Sequence, residues 1–544
     1  MSNRWVHGAL FGCALAVALI GLAHFANVTM DDVFISFRYA DNLAAGHGLV
    51  FNVGERVEGY SNFSWTVLLA IPIWLHVEQR ELGLLITAKV LGLLLSVGTL
   101  LVVSRTAALQ RSAEQRAFAP IAALYLAALA PFSMWGIGAM ETPLVTLLIA
   151  LTAYRHLRED AALRAGSAPL AWSHVTLLFA ALTRPEPVVL FVPLAALRLL
   201  RARKFGGTKE FVRSIVQLGL FGLPYAAFLA FRYAYYGQLV PNTYFAKLAH
   251  DARAAARGSH YLGAAAEHMN WLWLGLVCGL FILLARRFSY RLVVVSLLTL
   301  VQIAALMYEG GDWMPGCRLL VPTLPLIALL VSEAWFAVAL ISGADLAPRG
   351  AAPSWLITPA WLSAWQRLAQ TTAVDHSRAT LRRALRMTAY AALLSACLAS
   401  NIGSFDTARM PENLSGLRGL QLDHSNYFRI ARWMQRELRD PGLLALGEAG
   451  MIPYYTKLPV LDLHGLMDPY VARLPGALHT KFDADYFFRR NPKYVLLLVR
   501  PTRDGKLTSE HVYSNALLND PRFIQTYTPM QDFGVAILYT NSQR

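Results

Sequence analysis

Two adjacent carboxylates, Asp31 and Asp32, stand a few residues after the apolar stretch Gly8–Ala26. A stretch of that length is enough to cross the hydrocarbon core of a bilayer, which takes roughly 20 apolar residues. The pair therefore falls at a membrane–water boundary. Ionisable groups so close to hydrocarbon are costly and point to function. A carboxylate there can take a proton from a hydroxyl as a general base. With two so close, one can act while the other orients it. The run Asp31-Asp32-Val33-Phe34-Ile35-Ser36-Phe37-Arg38-Tyr39 mixes acid, base and aromatics, as suits a site where a charged, lipid-linked substrate meets water. The competing account is that one aspartate simply caps the helix that follows.

Other polar residues gather in a few short strings. On a helix starting near Asp31, Arg38 shares the aspartate's face, so a base and a cation can converge on one pocket. Otherwise Arg38 belongs to a solvated surface. The first loop continues through Gly46-His47-Gly48-Leu49-Val50-Phe51-Asn52 to Glu55, Arg56, Glu58 and Tyr60. Met140-Glu141-Thr142-Pro143 and Arg184-Pro185-Glu186 each place an acid beside a helix start, where the helix dipole explains it as well as chemistry does. Pro241–Lys247 supplies Asn242, Tyr244 and Lys247. Glu309–Arg318 contains glycines that permit a tight turn and sets Asp312 and Arg318 at the mouth of two spans. Arg318 either snorkels to the interface or clamps a phosphate. Further on, Gly447-Glu448-Ala449-Gly450 and Val460-Leu461-Asp462-Leu463-His464 run from apolar residues into glycine and charge. Ligand sites of α/β sheets lie at such strand ends, although a buried structural histidine accounts for His464 equally well. No Walker loop, GxSxG elbow, HExxH or EF-hand occurs, so ATP-driven transport, serine hydrolysis and zinc-protease chemistry have no support. The four cysteines, Cys13, Cys278, Cys317 and Cys397, show no CxxC spacing. No cofactor is expected, and a divalent metal has no evident ligand cluster.

The elements that must hold these residues are mostly membrane helices. The chain has 544 residues, 56% hydrophobic and 15% charged, with mean hydropathy +0.41; soluble domains carry about 25% charged residues. Apolar segments fall at 8–26, 62–76, 82–104, 118–134, 141–155, 172–183, 186–199, 213–232, 271–285, 291–308, 318–341 and 387–400. The net charge of +15 resides in Lys/Arg clusters between these segments, such as Arg105/Arg111/Arg116, Arg155/Arg158/Arg164 and Arg198/Arg201/Arg203/Lys204. That is the positive-inside pattern, not a nucleic-acid surface. Assigning those loops to the cytoplasm puts Gly138–Thr142, Thr183–Glu186, Pro241–Lys247 and Gly310–Arg318 outside. Parity then requires that segment 62–76, short and carrying Pro72, dips into the membrane without crossing. Eleven spans remain. Gly8–Ala26 reads as a retained first span rather than a cleaved signal, with the N-terminus cytoplasmic. The expected organisation is a membrane module over 1–400, with its first outer loop at 27–61 and a cytoplasmic loop at 342–386. An extracytoplasmic α/β domain follows over 401–544, with strands near Tyr494–Val499 and Val535–Tyr539.

Taken together, these strings resemble the integral-membrane GT-C glycosyltransferases, and within them the mycobacterial terminal β-(1→2)-arabinofuranosyltransferase family. The likeness rests on the Asp31–Tyr39 string, Gly46–Asn52, and Gly54-Glu55-Arg56-Val57-Glu58-Gly59-Tyr60-Ser61-Asn62. Gly138–Pro143, Asn242–Lys247, Gly310–Arg318 and Gly447–Asp468 extend it. Cys317 stands where an aromatic is common, and Phe63-Ser64 replaces an Asn-Pro-like turn. The resemblance implies a polytopic α-helical membrane protein of GT-C type in the bacterial cytoplasmic membrane. It implies a polyprenyl-phosphate sugar donor, such as decaprenylphosphoryl arabinofuranose, and an outer-face acceptor that is a cell-envelope glycan or glycoprotein. Asp31 or Asp32, with a slight preference for Asp31, would deprotonate the acceptor hydroxyl for an inverting attack. Arg38, Lys247 or Arg318 would neutralise the lipid phosphate, and Arg56, Glu58, Asn242, Tyr244, Asp312 and His464 would complete the binding set. Two other readings compete. A flippase for a lipid-linked sugar would use a mid-bilayer charge such as Lys89. A scaffold would recognise glycan through residues 410–544.

Overall fold

The computed structural model describes residues 3–76, 83–247, 254–268, 289–312, 314–339, 425–476, 479–504 and 506–542. The expected segments 271–285 and 387–400 and the loop 342–386 lie outside the described residues. Among those described, four helical stretches are long and apolar enough to cross a bilayer: Asn3–His24, Gly83–Ala108, Glu186–Tyr236 and Tyr290–Glu309. A fifth arises if Ala113–Ala127 and Ala130–Gly136, bent by 75° against each other, form one span.

Several elements differ from the pattern of apolar runs. Segments 186–199 and 213–232 are not separated by a loop. A 3-10 turn at Glu186–Leu190 leads into the helix Phe191–Gln217, and Gly219–Tyr236 follows almost directly. The intervening Arg, Lys, Ala and Glu residues are good helix formers. The change of direction falls on Gly207, whose φ of 66° suits glycine alone. The helix Phe63–Trp74 has 12 residues with Pro72 inside. At 1.5 Å per residue it spans about 18 Å, too little for a core about 30 Å thick. Trp172–Thr183 has the same length.

The helix Thr142–Arg164 links the two charged ends of the bundle. Glu141 precedes its first turn, whereas Glu159 and Asp160 near its far end pair with Arg198 and Arg201. By helix rise the two groups lie about 27 Å apart, roughly one hydrocarbon thickness. Within the bundle, Gly92 lets the Gly83–Ala108 helix lie so close to Gly136 that a Cβ would come within 2.5 Å of its carbonyl oxygen. Lys89 is buried, and its Nζ donates to the carbonyls of Ala26 (3.0 Å), Val28 (2.8 Å) and Ile137 (3.2 Å).

The C-terminal residues form an α/β unit around a five-stranded sheet in the order β2-β1-β3-β7-β6. Its strands are β1 Leu444–Leu446, β2 Val460–Asp462, β3 Tyr494–Leu498, β6 Tyr527–Asp532 and β7 Ala536–Asn541; β4 Arg500–Pro501 and β5 Leu507–Thr508 make a separate ribbon. β1 runs parallel to β2 and β3, and β7 antiparallel to β3 and β6. One face buries Ala445, Leu461, Val495, Leu497 and Phe487. Leu444, Leu446, Val460, Tyr494 and Leu496 join the larger core that continues into the membrane module.

Candidate active site

The helix Val33–Ala44 buries its first eight residues, because Phe34 and Phe37 pack on Tyr454 and Tyr455 with ring centroids 5.4–5.8 Å apart. It is the joint between the two halves of the protein. The two aspartates at its start face different ways. Asp31 turns to the C-terminal unit and accepts the backbone N–H groups of Gly450 (2.9 Å) and Met451 (2.8 Å), at the start of the helix Met451–Thr456. A Cβ on residue 450 would collide with the Asp31 carbonyl, so the approach requires glycine. Burial, together with the neighbouring Asp32, pushes the Asp31 carboxyl up to about 7, against the two N–H groups that favour its charge. Asp32 occupies the N-cap position but makes no capping hydrogen bond; its carboxyl lines a cavity instead.

That cavity has a volume of about 840 Å³. All four turns assigned to the outer side by charge meet on it: Met140 and Glu141, Arg184 to Glu186, Thr243, Tyr244 and Lys247, and Asp312 and Arg318. The first loop adds Ser36, Tyr60 and Asn62. Tyr225, Leu229, Leu239, Val240 and Val301 give it an apolar flank, the combination an amphiphile needs. Burial raises the Asp32 carboxyl above the ordinary carboxylate range, while Lys247 and Arg318 pull it back and Asp312 and Glu141 add to the rise. Arg318 is buried and donates to Asp312 at 2.8 Å. Arg184 bridges Glu141 (2.7 Å) and Glu186, and Asn62 donates to Glu141 at 3.0 Å. Although burial acts to raise the Glu141 carboxyl, Arg184 and Arg318 hold it below its usual value. Lys247 makes no ion pair at bonding distance among the described residues, which leaves its ammonium to the cavity.

The other sequence-selected residues have different surroundings. Arg38 does not face the cavity. Its guanidinium donates to the carbonyls of Phe51 (2.8 Å), Pro453 (2.7 Å) and Leu458 (2.8 Å) and stacks on the Phe51 ring. It ties the first loop to the C-terminal unit, each guanidinium nitrogen donating to a protein oxygen, and the structure does not bring it to the cavity with Lys247 and Arg318. Asn242 likewise donates to the carbonyls of Gly465 and Leu466, at 2.9 Å each, and is not part of the cavity lining. Glu58 pairs with Arg232 at 2.9 Å, and it is Arg232 that reaches the cavity. Burial pushes the Glu58 carboxyl up to about 7 against that pairing. Arg56 is exposed and lies over the Tyr235 ring. His464 is buried outside the cavity lining, beside His479, His511 and Tyr513. Glu141, Arg184, Asn62 and Arg232 were not selected from sequence. For Glu141 and Arg184 the sequence signal is charge at a turn between spans, which the helix dipole also accounts for; Glu141 makes no side-chain cap.

The fold of the chain resembles that of the solved structures of ArnT. It superposes on ArnT from Cupriavidus metallidurans bound to undecaprenyl phosphate with a TM-score of 0.57 at 14% identity, covering 99% of this chain and 98% of that one. The apo form of the same protein gives 0.50 over 97% of each chain. In sequence, the chain is similar to the terminal β-(1→2)-arabinofuranosyltransferase of Mycobacterium tuberculosis, 34% identical over 221 residues, which are 40% of this chain and 34% of that protein. It is also similar to the Corynebacterium glutamicum enzyme of the same name, 27% identical over 341 residues, 55% of this chain and 47% of that protein. The chain thus spans less than half the length of these curated relatives. Residues 416–543 match a family described as a domain of unknown function, DUF8728.

Proposed function

We propose that this chain is a glycosyltransferase that moves a pentose, D-arabinofuranose, from a polyprenyl-phosphate donor to a cell-envelope glycan or glycoprotein acceptor. The carrying observation is the position of Asp32: an uncapped carboxylate with a raised proton affinity, inside a cavity that joins cationic side chains to an apolar flank. An apolar wall suits a polyprenyl chain, and Lys247 and Arg318 suit its phosphate. Asp32 takes the proton of the acceptor hydroxyl as that oxygen bonds to the anomeric carbon. The carbon–oxygen bond to phosphate breaks, and the leaving phosphate takes up negative charge beside the two cations. Attack opposite the phosphate inverts the anomeric carbon. Asp31 holds the joint on which Asp32 is mounted. The separation of the cavity from the Arg198–Glu159 and Arg201–Asp160 end by about one membrane thickness supports an outer-face site and a cytoplasmic basic end. The C-terminal unit, joined to the site through Asp31, Arg38 and Asn242, then lies outside the cytoplasm.

The arrangement of Lys89 favours this reading over a flippase. Its ammonium is spent on three carbonyls at the ends of helices, not held in a transport path. The test is purified protein with radiolabelled polyprenylphosphoryl arabinofuranose and a short arabinan acceptor, with the anomeric configuration of the product read by NMR. Label in the acceptor with inverted configuration supports the proposal. Label with retained configuration overturns the single displacement and leaves the transferase. No label with this or any other lipid-linked sugar overturns the transferase.

A further inference from the structure

Three histidines from separate stretches of the C-terminal unit meet at one point. His464 follows β2, His479 lies fifteen residues later in the chain, and His511 precedes the helix Val512–Leu518. One ring nitrogen from each lies within 4.8 Å of the others. We propose that His464, His479 and His511 form a binding site for a divalent transition-metal ion of the zinc type, with Glu448 at its edge.

The geometry supports an ion better than a chance cluster. His464 Nε2 and His479 Nδ1 are 3.3 Å apart. Two imidazole nitrogens each about 2.0–2.1 Å from a tetrahedral zinc are separated by about 3.3–3.4 Å. A single shared proton would also explain that distance, but not the third ring. The His511 ring centroid is 5.3 Å from that of His464, and Glu448 Oε1 lies 3.7 Å from His511 Nε2. Three imidazoles with a carboxylate or water in the fourth position are a familiar zinc set. Of the two His464 ring nitrogens it is Nε2, facing His479 Nδ1, and not the partnerless Nδ1, that is offered as the ligand. His479 holds a φ of 68°, rare for a residue with a side chain, and such strain gathers where a site constrains the chain. Gly447 completes the cradle, since a Cβ there would lie 2.7 Å from His464 Nε2.

The histidines stand at the carboxyl ends of β1 and β2, where the sheet meets the membrane module, and His479 also feels the charges of Asp32 and Lys247. A bound ion would fasten the segment carrying His479 next to the cavity. The site does not depend on the transferase reading. The ligands are 15 and 32 residues apart in sequence, which is why no spacing motif disclosed them.

The experiment uses the full-length protein, purified in detergent without a polyhistidine tag, stripped with a chelator and reloaded with zinc. Bound zinc is counted by mass spectrometry and its affinity measured against a chromophoric chelator. The site predicts one zinc per chain, and a loss of affinity of about tenfold or more in His479→Ala and in His511→Ala, both at accessible positions, with His47→Ala unchanged. Reloading with cobalt would give the intense visible bands of a tetrahedral ion in wild type and not in the variants. Failure of the wild type to bind zinc would overturn the site, as would unaltered binding in folded His479→Ala and His511→Ala, because the zinc would then sit elsewhere.

Discussion

Replacing Asp32 by Asn separates the two aspartates. Asp32 makes no cap bond and lines the cavity, so the amide removes a proton acceptor while leaving backbone contacts in place. A positioned general base contributes about 10²–10⁴ in rate, which is about 3–5 kcal/mol at the transition state. Asp32→Asn should lower kcat by that factor and leave the thermal midpoint nearly unchanged. Asp31→Asn should do the reverse. Its carboxylate accepts two backbone N–H groups, and the amide can accept only one while turning an NH2 group towards the other. A buried N–H left without a partner costs about 1–3 kcal/mol, visible as a lower thermal midpoint at pH 8, where the wild-type carboxylate is ionised. Loss of rate should stay within about tenfold, since the proton acceptor remains. The assay is initial-rate transfer from labelled polyprenylphosphoryl arabinofuranose, paired with thermal unfolding in the same detergent. A folded Asp31→Asn that loses transfer while Asp32→Asn keeps it would refute the assignment.

Three further outcomes follow from the same geometry. The base must be ionised to act, and burial raises the Asp32 carboxyl, so the acidic limb of kcat/KM should lie above the ordinary carboxylate range. Lys247 lowers that proton affinity, so Lys247→Met should move the limb to higher pH; an unmoved limb would mean that another group titrates. Arg38→Met removes its bonds to three carbonyls. Phe51 keeps the Asn42 amide and Pro453 keeps the Lys457 N–H, so the loss of a partner falls on the Leu458 carbonyl, at about 1–3 kcal/mol. The variant should reduce folded yield and thermal stability, with no selective rise in donor KM among the molecules that fold. Arg318→Ala should raise donor KM more than acceptor KM, because the guanidinium faces the cavity; equal effects on both would place the phosphate elsewhere.

The sequence made the meeting place legible better than the individual roles. Charge placement in the short loops grouped Glu141, Arg184, Lys247 and Arg318 on one side, and the structure brings all four to one cavity. The apolar runs at Tyr494 and Val535 correspond to β3 and β7. Roles were hidden wherever a partner is remote in the chain. Asp31 and Gly450 are 419 residues apart, and Arg38 and Pro453 are 415 apart; no local spacing distinguishes a carboxylate that fastens two halves from one that faces a substrate. Helical periodicity set Arg38 on the face of Asp31, with a pocket or a solvated surface as the alternatives; that its guanidinium instead reaches carbonyls of Phe51, Pro453 and Leu458 depends on partners remote in the chain. The helical structure on both sides of the break at Gly207 escaped because charge was read as loop, whereas Arg, Lys and Glu are also helix formers.

The central claim is that the cavity beside Asp32 holds the lipid donor, and photocrosslinking tests it most directly. A polyprenyl phosphate with a photoactivatable group near the phosphate would be irradiated with the full-length protein, and the labelled peptides mapped by mass spectrometry. The account predicts label on Leu239–Lys247 and on the peptide containing Arg318, displaced by unlabelled polyprenyl phosphate and weakened in Arg318→Ala. Displaceable label confined to peptides that do not line this cavity would contradict it.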